Sequence, residues 1–140
     1  MLNTLVGSAG SVIAAAGSAS AVPGGWTPGT VVGHLADVDN EVWAPRVRLM
    51  VESRRSGMAT PSFAWWEPDP IETAHRYELL PLADCAVKFL HARSALVGYL
   101  RGLTAADWTA TATHATFGVM TVQQCLERLL DHDVEHCGSF

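Results

Sequence analysis

Residues 121–137 read TVQQCLERLLDHDVEHC and carry the clearest helical pattern in the chain. Thr121, followed three residues later by Gln124, is typical of a capping box. In that motif each of the two side chains accepts a hydrogen bond from the backbone N–H of the other residue. The sequence therefore predicts a helix that has Thr121 as its N-cap and ends at about Cys137.

One face of this helix combines apolar residues with two histidines. The apolar positions recur at steps of three and four residues and are Val122, Cys125 and Leu129. The same step reaches His132 and His136, whose imidazoles project from one face a single turn apart. Two nitrogens so placed can reach one metal ion at about 2.0–2.1 Å. Because both histidines continue a buried stripe, a free imidazole there would need hydrogen-bond partners to compensate for its lost hydration.

A second helix carries a third histidine in the same kind of position. Thr27 is a favourable N-cap and Pro28 suits the first helical position, so we expect a helix from Pro28 to about Arg55. His34 lies inside its apolar stripe. That stripe consists of Val31, Leu35, Val38 and Val42. Pro45 lacks an N–H and is expected to kink this helix.

Two further segments have helical patterns. The first is small and apolar and covers about residues 2–16, although its glycines weaken it. Asp69 and Glu72 form a capping box at the start of another, which we expect to be helical over about 70–103, with a bend at Pro81.

The remaining stretches, 57–68 and 104–120, have the character of loops. Four amphipathic helices joined by loops predict an all-α fold, a four-helix bundle that forms a single domain over residues 1–140.

The first 22 residues also resemble a secretory signal, because Ala19-Ser20-Ala21 has the small residues of a signal-peptidase site. No Lys or Arg precedes the apolar stretch, and Ser and Gly interrupt it, so it falls short of the roughly 20 apolar residues that span a bilayer. We therefore favour a first bundle helix over a signal or membrane segment. Val22-Pro23-Gly24-Gly25 is expected to break the chain after it.

Net charge and cysteine content indicate which partners and which cellular compartment to expect. The net charge is −5 and the only adjacent basic pair is Arg54-Arg55, which argues against nucleic-acid binding. Three cysteines, with no C-x-x-C pair, give no sign of a disulfide framework. We expect a reduced cytoplasmic protein with no membrane segment.

A lone histidine on an apolar face is more often a hydrogen-bonded core residue than a ligand. Three such histidines, His34, His132 and His136, on two helices of one bundle favour a shared metal ion instead. The string from His132 to His136 also matches H-x-x-E-H, an inverted zinc-peptidase signature. We do not favour that interpretation, because only residues 137–140 follow and no third ligand of that class is available there.

The sequence resembles the DinB/YfiT-like superfamily over roughly residues 22–138. The motifs that carry the resemblance are, in chain order, Trp26-Thr27-Pro28, Gly33-His34-Leu35-Ala36-Asp37, Arg76-Tyr77, Arg93, Trp108, His114, Phe117-Gly118, Met120-Thr121, His132 and His136.

The resemblance implies a bundle with up-down-down-up connections and one divalent ion, Zn or Ni, held by His34, His132 and His136. It also implies frequent homodimers. Members of the superfamily with assigned activities resemble S-transferases that use mycothiol, bacillithiol or glutathione, and include a maleylpyruvate isomerase. One departure is that the last helix ends soon after His136, whereas relatives usually extend it.

Three histidines with an open fourth position are typical of catalytic metal sites. The leading hypothesis is therefore metal-dependent transfer of a low-molecular-weight thiol to an electrophilic small molecule. One alternative is a hydrolase that uses a metal-bound hydroxide, and another is a non-enzymatic, metal-stabilised stress-response module. A hydrolase would need a carboxylate as general base, and the nearest in sequence are Asp37, Asp133 and Glu135.

The sequence also offers candidates for supporting roles near the metal. Asp37 is expected to accept a hydrogen bond from a ligand histidine, which would orient the ring. His114 and Trp108 are candidates for the substrate pocket.

Overall fold

The computed structural model describes residues 1–19 and 25–140. Its helices are α1 (Leu2–Ser18), α2 (Pro28–Val38), α3 (Ala44–Arg55), α4 (Pro70–Tyr77), α5 (Leu82–Arg101) and α6 (Val122–Gly138). A π-helical segment, Asp39–Trp43, makes α2 and α3 one continuous helix, and a short 3-10 turn spans Asp107–Thr109. The predicted chain break at 22–25, and the signal-like Ala19-Ser20-Ala21, lie mostly outside the described residues.

The long helices α2 and α5 run in the same direction. Gly29, near the start of α2, lies beside Cys85, near the start of α5. Further along both helices, Asp39 pairs with Arg93 at 2.7 Å. The long connection over residues 56–81, which contains α4, returns the chain to the end of the bundle where α2 began. A parallel pair of consecutive bundle helices therefore follows from this crossover.

Helices α1 and α6 form the other parallel pair, antiparallel to the first. The early part of α1, at Leu5, packs in one core cluster with Val122 at the start of α6. The end of α1, at Ala16, packs in a second cluster with Cys137 near the end of α6. This arrangement confirms the predicted up-down-down-up four-helix bundle. No helix in the described ranges is both long and apolar enough to span a membrane.

A buried ion-pair network ties all four bundle helices together. The side chain of Arg93 is only 2% exposed, and its five N–H groups are all bonded. They donate to both carboxylate oxygens of Asp39, both of Asp133, and the carbonyl of Leu5. Asp133 also accepts from the hydroxyl of Ser8 at 2.7 Å. Burial raises the pKa of Asp39 to about 6, against the lowering effect of Arg93.

The structure corrects the predicted helix over 70–103. This stretch forms two helices: α4 ends at Tyr77, and α5 begins only at Leu82, after Pro81. Proline lacks the N–H that a continuous helix would need there, so the chain breaks where a bend was predicted.

The predicted kink at Pro45 takes a different form. The Ala44 N–H donates to the carbonyl of Asp39, five residues back, which is the bond of a π-helical turn. This turn directly precedes Pro45, which has no N–H to offer.

Both predicted loops contain short strands. Strands β2 (Thr111–His114) and β3 (Gly118–Thr121) form an antiparallel hairpin, and β1 (Ser62–Phe63) pairs in parallel with β2. Phe63 lies directly opposite His114 in this pairing. His114 is therefore the last residue of the central strand, between Phe63 of β1 and Gly118 of β3.

Candidate metal centre

The three predicted histidines converge between two antiparallel helices. His34 comes from the middle of α2, and His132 and His136 come from consecutive turns of α6. One ring nitrogen from each can be chosen so that all three lie within 4.8 Å of one another. The Nε2 atoms of His132 and His136 are 3.2 Å apart. Two nitrogens of a tetrahedral zinc site, each about 2.0–2.1 Å from the ion, would be separated by roughly 3.3 Å.

These imidazoles also lack the partners that core histidines normally have. The Nδ1 atoms of His34 and His132 are buried without a hydrogen bond. In the described part of the chain, the hydroxyl of Tyr99 is the one other buried side-chain polar atom without a partner. Because buried polar groups are normally paired, this cluster is less completely hydrogen-bonded than core histidines usually are.

The electrostatics of the cluster favour neutral imidazoles. Burial, followed by the neighbouring histidines, lowers the pKa of His34 to about 3 and that of His136 to about 4. Burial also lowers the pKa of His132. At neutral pH the three rings are therefore uncharged and offer lone pairs, which is the form that binds a metal ion.

A cavity of about 610 Å³ opens beside two of these histidines, His34 and His132. Its other lining residues are Val38, Val42, Trp43, Arg46, Trp65, Trp66, Glu67, Pro68, His114, Phe117, Arg128, Asp131, Val134 and Glu135. Trp66 stacks on His34, with ring centroids 6.3 Å apart, and Trp26 covers the same ring at 5.3 Å. The size and the aromatic walls suit a small organic ligand.

The position of His34 depends on its neighbour Gly33. A Cβ at position 33 would lie 2.5–2.7 Å from ring atoms of Tyr77, so only glycine lets this ring pack against α2. The Tyr77 hydroxyl in turn donates to Asp37 at 2.6 Å. Arg76 and Lys88 donate to the same carboxylate at 2.6 and 2.9 Å.

This network corrects the role predicted for Asp37. Its carboxylate oxygens are taken by Arg76, Tyr77 and Lys88, while the Nδ1 of His34 stays without a partner. Asp37 therefore anchors α4 and α5 to α2 and does not orient a ligand histidine.

The other candidate carboxylates lie in different surroundings. Asp133 is buried in the network of Arg93 and faces away from solvent. Glu135 is exposed and lines the cavity. Of the carboxylates considered from the sequence, only Glu135 is free to approach a bound substrate.

The two predicted pocket residues have separate positions. His114 lines the cavity, and its ring lies 4.8 Å from that of Phe117 and 6.4 Å from that of Trp65. Trp108 does not line this cavity, because its side chain packs against the apolar core cluster at the other end of the bundle. The prediction for Trp108 is therefore corrected.

Arg46 also lines the cavity and was missed in the sequence. Spacing along the helix could have identified it as a cavity residue. The cavity-lining residues of this helix recur at steps of four and are His34, Val38, Val42 and Arg46. Arg128 gave no comparable signal, since it lies on an exposed helix face.

A family model for the DinB superfamily matches residues 14–140. The chain belongs to the DinB superfamily. The fold is also similar to that of YfiT from Bacillus subtilis, described as a probable metal-dependent hydrolase with an unusual four-helix bundle topology. The two share 18% sequence identity, with a TM-score of 0.77 over 99% of this DinB-superfamily chain and 80% of YfiT. No curated protein matches the sequence.

Proposed function

We propose that this protein is a metal-dependent transferase that adds a low-molecular-weight thiol to an electrophilic small molecule. The observation that carries the proposal is the convergence of three neutral histidine nitrogens beside an aromatic cavity. No fourth His, Cys, Asp or Glu joins this cluster in the described part of the chain, which leaves a side open for a ligand.

His34, His132 and His136 are the residues that would hold the ion, and imidazole donors suit Zn and Ni. A divalent ion in this position would lower the pKa of a bound thiol or water molecule. Membership of the DinB superfamily and the partly unpaired histidines both support such a site.

Two of the three carboxylates considered as a general base for hydrolysis are already engaged in ion pairs. A thiol that loses its proton on binding needs no protein base to become nucleophilic, whereas hydrolysis is usually assisted by a general base. Asp37 and Asp133 are both engaged by cationic side chains and are not available for that role.

Hydrolysis is the second candidate, and two observations favour it. YfiT carries the description of a probable metal-dependent hydrolase. Glu135 is exposed on the cavity wall and is the carboxylate that would accept a proton from water.

The first experiment is elemental analysis of untagged protein beside a His132→Ala/His136→Ala variant. We expect about one equivalent of metal in the native protein and almost none in the variant. His91→Ala is the matched control, because His91 is an exposed histidine on α5. No metal in the native protein, even after incubation with Zn or Ni, would contradict the proposal.

A second experiment separates the candidate functions. Protein loaded with Zn or Ni is incubated with glutathione, mycothiol or bacillithiol and a chlorodinitrobenzene or maleimide electrophile, and separately with aryl esters without thiol. Thiol-dependent product that forms faster with the native protein than with His132→Ala/His136→Ala supports transfer, whereas ester cleavage that is lost in Glu135→Gln supports hydrolysis. Metal binding with neither activity would favour a non-enzymatic, metal-stabilised module. The use of cellular thiols implies a reduced compartment such as the cytoplasm, and the homodimer stays a prediction.

A further inference from the structure

Arg46 and His114 are hydrogen-bond donors that line the cavity beside the histidine cluster. The Nδ1 of His114 accepts the backbone N–H groups of Thr116 and Phe117, at 3.0 and 3.3 Å. Since that nitrogen acts as acceptor to both, the proton of the neutral ring resides on Nε2. The hairpin turn therefore fixes the tautomer and leaves an N–H donor on the ring's other side.

Arg46 contacts the strand residue that is paired with His114. Its guanidinium is 5.0 Å from the ring centre of Phe63, the residue that pairs directly with His114 in the sheet. Burial and the charge of Arg46 together lower the pKa of His114, which keeps that ring neutral. Both side chains line the same cavity.

The guanidinium of Arg46 is also largely unused. It donates one hydrogen bond, to the carbonyl of Ala64 at 2.7 Å, and no carboxylate of the described residues lies within 4.0 Å of it. The acidic residues of the cavity do not pair with Arg46. Glu67 accepts a hydrogen bond from the indole of Trp65, the carboxylate of Asp131 lies 3.7 Å from the guanidinium of Arg128, and Glu135 is exposed. Arg46 is thus half-buried with no anionic partner among these residues, so most of its N–H groups are available to an anionic ligand.

We propose that Arg46 and His114 form a carboxylate-binding subsite, and that the substrate is an aromatic or similarly flat apolar molecule carrying one carboxylate. The guanidinium binds the carboxylate through its free N–H groups, and the Nε2–H of His114 donates to the same group. The rings of Trp65 and Phe117, which flank His114, contact the apolar body. This inference rests on the proposed function, since it names the substrate of the same cavity.

The experiment uses binding to metal-free protein, so that no carboxylate can be held by an ion. Calorimetric titration compares 2-naphthoate with 2-naphthamide, which has nearly the same shape without the charge. We expect the carboxylate to bind about tenfold tighter or more. The preference should disappear in Arg46→Met and persist in Arg48→Met, an exposed arginine that stacks on Tyr99 outside the cavity.

A second pair of variants tests His114. Gln places its amide N–H near the position of the Nε2 donor, so His114→Gln should retain much of the preference, whereas His114→Phe should lose it. If Arg46→Met fails to fold, Arg46→Lys serves instead and should reduce the preference without abolishing it, because lysine keeps the charge and loses the planar fork. Circular dichroism verifies the fold of each variant.

Three outcomes would overturn the subsite: equal binding of the acid and the amide, no binding of either at millimolar concentration, or an unchanged preference in Arg46→Met. Glutathione and its diethyl ester provide the last comparison. Loss of glutathione binding in Arg46→Met, without a preference for naphthoate, would assign the carboxylate to the thiol and contradict the proposed substrate. All these titrations are metal-free. Failure of the protein to bind metal would therefore refute the proposed function without deciding whether the carboxylate subsite exists.

Discussion

The Arg93 network and the histidine cluster, both inside the described part of the bundle, differ in how completely their hydrogen bonds are satisfied. Arg93 has all five donors bonded, to two aspartates and a carbonyl. The histidine cluster leaves the Nδ1 atoms of His34 and His132 unpaired. Both clusters join α2 to α6, yet only the second opens on a cavity. The contrast indicates that a saturated buried network stabilises a fold, whereas an unsaturated one holds a place for a ligand.

Removing the centre of the saturated network should have the largest effect. Arg93→Met leaves Asp39 and Asp133 buried without a counter-charge, and we expect it to lower the free energy of unfolding by about 3–5 kcal/mol. Urea denaturation measures this change. Arg101→Met is the control, because Arg101 is exposed at the end of α5, and should change stability by less than about 0.5 kcal/mol. Equal midpoints for the two variants would contradict a structural role for the network.

Filling the unsaturated cluster should give the next largest effect. Zn or Ni at 100 times its dissociation constant should raise the free energy of unfolding by about 2.7 kcal/mol, because the ion binds only the folded chain. Thermal unfolding with and without metal measures the gain, which should vanish in His132→Ala/His136→Ala and persist in His91→Ala. A shift of the same size in the double variant would place the ion elsewhere.

Crowding the helix that carries His34 should have a smaller effect. Gly33→Ala forces the ring of Tyr77 away from α2, and we expect a loss of about 1–3 kcal/mol together with weaker metal binding. Gly98→Ala is a matched control, since a Cβ there meets nothing within 4 Å and should stabilise α5 by up to about 1 kcal/mol. Equal stability of the two variants would show that the contact with Tyr77 is not rigid.

The last prediction concerns the pH dependence of stability that the saturated network produces. Burial raises the pKa of Asp39 from 3.8 to about 6, so the folded chain binds this proton more readily than the unfolded chain. The native protein should therefore gain stability relative to Asp39→Asn as the pH falls from above 6 to about 4. Histidine contributions are common to both proteins and cancel in this difference. A constant difference across that range would mean that Arg93 keeps Asp39 ionised throughout.

The sequence predicted the elements whose signals are local. The last helix begins after Thr121 with both capping-box bonds present, and the second begins at Pro28 after its Thr27 cap. The β2–β3 hairpin was not predicted, because its strands have only four residues each and no sustained alternation. Strands of that length gain their stability from the packing beneath them.

The residues of the candidate site also divide into those with a local sequence signal and those without one. His34, His132 and His136 stood out because each interrupts an apolar stripe, and the structure brings them together. The side chains that bond to Asp37 lie between 39 and 51 positions further along the chain, so no local spacing pattern could predict them. The charged partner of a buried aspartate depends on which helices become neighbours, and the crossover over residues 56–81 determines that.

The π-helical segment at Asp39–Trp43 has a consequence for how this chain can vary in length. Buried positions on this helix step by five residues from Val42 to Val47, where a regular α-helix would step by three or four. Deleting one residue here would turn this step of five into a step of four, which a regular α-helix makes without changing the face that α3 presents to the core. Val47 and Met50 would then stay in the core while His34 still faced α6. The segment between His34 and Val47 can therefore lose one residue with the core intact, whereas one inserted residue more would rotate α3 by about 100° relative to α2.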